Sequence, residues 1–110
     1  MIMSLRWSEE SLEHNGVVVH GALSELSNAV LAVFWVGEKP RLGTMTATLP
    51  DGTSSPLLGD RDEVVSKIIG GRLASGRGRL AIISVNLPQD WDDGRPLIEL
   101  TKRLVGETDE

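Results

Sequence analysis

Cysteine and tyrosine are both absent, phenylalanine occurs once and tryptophan three times, so aromatic side chains make up only 4% of the chain. Without thiols there can be no disulfide, no thiolate nucleophile, no iron–sulfur cluster and no zinc site that needs sulfur ligands. That composition fits a reducing compartment. The scarcity of aromatics leaves few platforms on which bases could stack. The longest uninterrupted apolar run, Ala29 to Val36, is far shorter than the roughly 20 residues that cross a bilayer as a helix. Met1 to Arg6 holds neither a long apolar core nor a small-residue cleavage site, so no secretory signal is expected. Positive charge is in deficit, with 11 Lys and Arg against 16 Asp and Glu and a formal net charge of −5. Such a surface repels phosphate backbones and anionic lipid. A cytoplasmic protein with no nucleic-acid or membrane partner is expected.

Catalytic groupings are also missing. The two histidines, His14 and His20, have no clustered carboxylates to complete a metal site and read as surface or structural residues. No G-x-S-x-G elbow is present, and Ser54, Ser55 and Ser84 have no histidine placed beside them. Asp90, Asp92 and Asp93 lack the loop pattern of a calcium site and read as a solvated loop with a helix cap. Gly70-Gly71 and Gly76-Arg77-Gly78 match no phosphate-binding loop. No cofactor, no metal and no enzymatic activity are expected, which leaves an interaction module.

What is present suits one folded domain of 110 residues, 40% hydrophobic and 25% charged, with a polar tail over 106–110. A chain of this length buries roughly two-thirds of its unfolded surface. Residues 3–13 read as an edge strand or a loosely held arm. Asn15-Gly16 marks a hairpin, and Val17–Leu26 the strand after it. Ala29–Val36 is apolar at every position, as in a central strand covered on both sides. Leu42–Leu49 alternates, and Ser55–Leu58 is a short strand. A helix starts at Asp60, with Glu63 completing a capping box and Val64, Val65, Ile68, Ile69 and Leu73 forming an apolar stripe. Gly70-Gly71 inside it means either fraying or close packing by another backbone. Arg79–Leu87 is a second apolar strand. A final helix over 94–105 has Asp93 as cap and Leu97, Ile98, Leu100, Leu104 and Val105 on its apolar side. The order points to an α+β domain with a mostly antiparallel sheet of five to six strands and two helices.

Two helices cover one face of such a sheet, yet strands 29–36 and 80–87 are apolar on both. Either the sheet folds over itself or a second subunit covers the other face, so a dimer is expected. Arg72, Arg77 and Arg79 form a basic cluster that meets an acidic partner or merely compensates a helix dipole. Trp35 belongs to the core or to an interface. Trp91, among acids in a loop, is either folded back or a binding anchor.

The order of residues carries a resemblance. Ala29 to Gly37 followed by Pro40, with Trp35-Val36-Gly37 ending the apolar strand, looks like the central hairpin of the proteasome assembly chaperone 3/4 family, most of all its chaperone 4 branch. Leu57-Leu58-Gly59-Asp60, Arg72-Leu73-Ala74 and Ser84-Val85-Asn86-Leu87 match further stretches of that branch in order. Leu42-Gly43-Thr44 resembles the chaperone 3 branch instead. The similarity spans about residues 29–87, and the ends match in pattern only. It implies a dimerising α+β domain, without catalysis or cofactor, that binds proteasome α-type subunits and promotes α-ring assembly. The mixture of branches suits a homodimer as well as pairing with a related chaperone subunit. With no tyrosine in the chain, docking through a hydrophobic-Tyr-x tail is not expected, so contact falls to the folded surface. Arg41, Arg72, Arg77 and Trp91 are the candidate contact residues, chosen from exposure and chemistry rather than from the family. The alternative is a generic dimeric α+β scaffold or regulatory module with a different protein client.

Overall fold

The computed structural model describes residues 5–59, 61, 63–91 and 93–106. Strand β1 (Ser8–His14) turns through Asn15 and Gly16 into β2 (Val17–Glu25). Both turn residues have positive φ, 52° and 80°, as a two-residue primed turn demands. Strands β3 (Ala29–Val36), β4 (Thr44–Thr48) and β5 (Ser54–Leu58) follow, then helix α1 (Glu63–Arg77), strand β6 (Leu80–Asn86) and helix α2 (Arg95–Leu104). The six strands lie in the order β1-β2-β3-β6-β4-β5. All neighbours run antiparallel except β3 and β6, which are parallel. The expected α+β class and mostly antiparallel sheet are thus what the chain adopts.

Both helices pack on one face. Helix α1 lies over β4, β6 and the end of β3, and α2 over β1 and β2. The side chains beneath them come from alternate positions in register: Val19, Leu23, Val30, Ala32, Phe34, Ala81, Ile83 and Val85, each at most 4% exposed. Thr46 and Thr48 of β4 share this face and are buried. The helices add Ile69, Leu73, Leu97, Leu100 and Leu104.

Several sequence expectations change. The α1 stripe is narrower than five residues, because Val64 and Ile68 point outward at 73% and 50% exposure. Helix α1 does not fray at its glycines. Gly70 is pressed against β4, where a Cβ would collide with Thr48 Oγ1 and lie 3.0 Å from Thr48 Cβ, whereas Gly71 has open space. Close packing therefore explains Gly70 alone, and what packs there is the Thr48 side chain rather than the expected backbone. Strand β4 begins at Thr44 rather than Leu42, since Asn86 Nδ2 and Ser84 Oγ bind the backbone of Leu42 and Gly43 and draw them over β6. Helix α2 starts at Arg95 with Gly94 as its N-cap residue and no side-chain cap bond from it. Asp93, expected as the cap, stands one residue earlier and accepts the Arg95 N–H at 3.0 Å. The capping box at Asp60 and Glu63, and tail residues 107–110, lie outside what is described.

Candidate protein-binding surface

The second sheet face has no helix over it. Following the register outward from β1, it presents Glu9, Ala22 and Val33, then Ser11, His20, Trp35 and Asn86 in the next row. Leu31, Ile82, Ala47 and Met45 continue it toward β4. This is the alternation of a strand made to be covered twice, and it follows from the odd positions of β3 being as apolar as the even ones.

The cover on this face is partial. From one side comes the segment before β1, held by the Ser24 hydroxyl donating to the Arg6 carbonyl at 2.6 Å. It places Trp7 over the sheet, still 44% exposed. From the other side comes the β3–β4 loop, held by Asn86 Nδ2 donating to the Leu42 carbonyl at 2.8 Å and by the Gly43 N–H donating to Ser84 Oγ at 2.9 Å. It places Leu42 over the sheet at 63% exposure. Between these flaps lies a cleft of about 410 Å³, floored by Ala22, Val33 and Trp35, with Trp7 and Glu9 on one side and Arg41 and Leu42 on the other. A second hollow of about 170 Å³ opens over Leu31, Val33, Met45 and Ile82. Self-folding is thus partial: the chain shelters Trp35, but leaves Leu31, Val33, Met45 and Ile82 half-buried.

Polar groups on this face serve its geometry. Trp35 stacks on His20 with ring centres 5.3 Å apart and planes at 17°. His20 Nδ1 lies 2.7 Å from the Ser11 hydroxyl. The buried Trp35 Nε1–H has no acceptor among the described residues. No three His, Cys, Asp or Glu residues among those described gather as a metal would require, and none of the described helices is long and apolar enough to cross a membrane.

The four candidate contact residues are not brought together. Arg41 is exposed on the β3–β4 loop beside the cleft. Arg72 is exposed on α1, on the opposite side of the sheet. Arg77, in the last turn of α1, lies 3.3 Å from Glu25, a carboxylate shared with Arg79 at 3.2 Å. Arg79 also donates to the Leu26 carbonyl at 2.6 Å, so this basic cluster ties α1 to the end of β2. Trp91 is at the far end, half-buried, its indole N–H donating to the Asp93 carbonyl at 2.6 Å and its ring 5.5 Å from that of His14. His14 Nε2 in turn lies 3.2 Å from the Asp93 carboxylate. Arg95 holds that carboxylate well below the usual range, first through its guanidinium and then through its backbone N–H.

Sequence reasoning overlooked Trp7 and Leu42 as surface features. Their only signal was position: each is a large apolar residue just outside a strand, next to an apolar face that nothing else would cover.

Comparison with known proteins is consistent with the architecture. No protein-family model matches the chain, and no curated protein does. Among solved structures, one chain of a "Crystal Structure of a Novel Chaperone Complex for Yeast 20S Proteasome Assembly" is similar, with a TM-score of 0.60 at 13% identity. The match covers 94% of this chain and 89% of the other. At that identity it is the fold that the two share.

Proposed function

We propose that this protein is a non-catalytic assembly chaperone for the 20S proteasome, of the chaperone 3/4 type, working in the cytoplasm as a dimer that holds α-type subunits during α-ring assembly. The observation that carries the reading is the near full-length correspondence with a chain of a proteasome assembly complex. The order of sequence motifs from Ala29 to Leu87 supports it independently.

The dimer is proposed to form through the open sheet face. A stable interface needs roughly 800 Å² per partner with an apolar centre, and the half-buried Leu31, Val33, Met45 and Ile82 with exposed Trp7 and Leu42 make such a centre. The sheet edges suit it less. Edge strand β1 carries Glu9, Glu10 and Glu13, and edge strand β5 carries Pro56, both features that discourage strand-to-strand pairing. Arg72, Arg77 and Trp91, away from this face, are assigned to the α-type client, and Arg41 to the second copy.

Light scattering on the purified chain, alone and mixed with purified α-type subunits, tests both parts. The expected results are twice the 11.9 kDa chain mass alone and a stable complex in the mixture, weakened by Arg72→Glu. A dimer that binds no α-type subunit at tens of micromolar refutes the chaperone role and leaves a dimeric scaffold with another client.

A further inference from the structure

The reading that the open sheet face seats a second copy leaves unstated how that copy is oriented, and the charges beside the cleft supply the answer. Glu9 stands on β1, to one side of β3. Arg41 rides on the loop whose Leu42 carbonyl is bound to β6, on the other side of β3. Both side chains are exposed, both line the cleft, and neither has an ion-pair or hydrogen-bond partner among the described residues. Between them the floor, Ala22 and Val33, carries no charge. The monomer therefore displays an apolar strip with an unpaired anion along one border and an unpaired cation along the other.

Two identical faces can meet about a two-fold axis running along β3 or about one running across the strands. In an isologous contact, whatever residue i does to residue j is repeated by j on i. An axis along β3 exchanges the two borders, so Glu9 of each protomer meets Arg41 of the other, twice. An axis across the strands keeps each border on its own side, so Glu9 faces Glu9 and Arg41 faces Arg41. Like charges juxtaposed at an interface are strongly disfavoured.

We propose that the second copy docks about an axis along β3, and that the reciprocal Glu9–Arg41 pairs set this orientation and select a second copy of this chain as the partner. The pairs lie at the rim of an apolar centre, where ionic contacts govern orientation and partner choice more than total affinity. Reversing one charge converts both symmetry-related pairs into repulsions, so a single substitution acts twice.

Sedimentation equilibrium on the full chain tests this with wild type, Glu9→Arg, Arg41→Glu and the double reversal. Both residues are exposed, so thermal unfolding of the variants at dilutions where every form is monomeric should match wild type and serves as the folding control. Each single reversal is expected to raise the dimer dissociation constant about tenfold or more. The double reversal should return it to within about threefold of wild type, and the single losses should shrink in about 0.5 M salt. A wild-type chain that stays monomeric overturns the dimer reading itself. A wild-type dimer whose single variants bind as tightly as wild type overturns the Glu9–Arg41 pairing alone and leaves the dimer standing. Weakened single variants that the double reversal does not rescue also overturn the pairing.

Discussion

The two faces of the sheet are built from the same strands yet stand in different states. On the helix side, Val19, Val30, Phe34 and Ile83 show no exposure, and the cluster they belong to draws on both helices as well as the central strands. On the other side, residues one position along the same strands rest under two tethered flaps, whose own apolar tips are 44% and 63% exposed. Strand composition does not account for the difference, since β3 is apolar at odd and even positions alike. It comes from what the chain has left to cover them: two helices for one face, and two short segments for the other. If this half-covered apolar face is the proposed docking surface for a second copy, the two faces must respond differently to substitution.

The sharpest contrast pairs Phe34→Ala with Leu42→Ala. Phe34 is fully buried on the helix side, and its truncation should cost about 3–5 kcal/mol, from lost transfer energy and the cavity left behind. Leu42 on the open side should cost less than about 0.5 kcal/mol at dilutions where the chain is monomeric. Urea unfolding of dilute samples measures both. A multi-kilocalorie loss at Leu42 under those conditions would mean that the open face is already sealed.

Next in size is a pair of neighbouring substitutions with opposite signs. Gly70→Ala pushes a methyl group into Thr48, which is fully buried, stiff at χ1 and hydrogen-bonded to Ser54 at 2.9 Å. Overpacking should outweigh the helix propensity gained, for a net loss of about 1–2 kcal/mol. Gly71→Ala meets nothing within 4 Å and should stabilise α1 by about 0.5–1 kcal/mol. Equal effects at the two positions would contradict the placement of α1 on β4.

Local chemistry made much of this legible. Asn15-Gly16 marked its turn because few other dipeptides accept two positive φ angles. The even apolarity of Ala29–Val36 announced a doubly faced central strand. The insertion of β6 between β3 and β4 was not legible, because that pairing closes a long loop and depends on which distant strand offers the matching face. The outward turn of Val64 and Ile68 was missed for a related reason. The helix buries Ser66 and Gly70 instead, small residues that let it lie close to β4, and periodicity of apolar residues alone does not register small ones. The surface was partly legible: its existence followed from counting covering elements, whereas its flaps depend on hydrogen bonds made by Ser24, Ser84 and Asn86, whose tethering role neither hydropathy nor spacing reveals. The four candidate contacts were chosen one by one for their chemistry, and the fold disperses them.

The smallest expected effect lies where the two faces meet at the sheet's end, in the clasp that joins the β1–β2 turn to the start of α2. Asp93 accepts from Arg95 and faces His14, while Trp91 packs against His14 and donates to the Asp93 carbonyl. Because Asp93 titrates below its ordinary value in the folded chain, its contribution is complete above the unfolded pKa of about 3.9 and fades as pH falls through the folded one. The ion pair with Arg95 is open to solvent, so the effect is modest and screened by salt. Thermal midpoints of wild type and Asp93→Asn should differ slightly near pH 6, and the gap should narrow steadily as pH falls below the unfolded pKa of about 3.9, with Trp91 fluorescence changing over the same interval. A difference that persists unchanged into that acid range would show that Asp93 acts through packing and not through its charge.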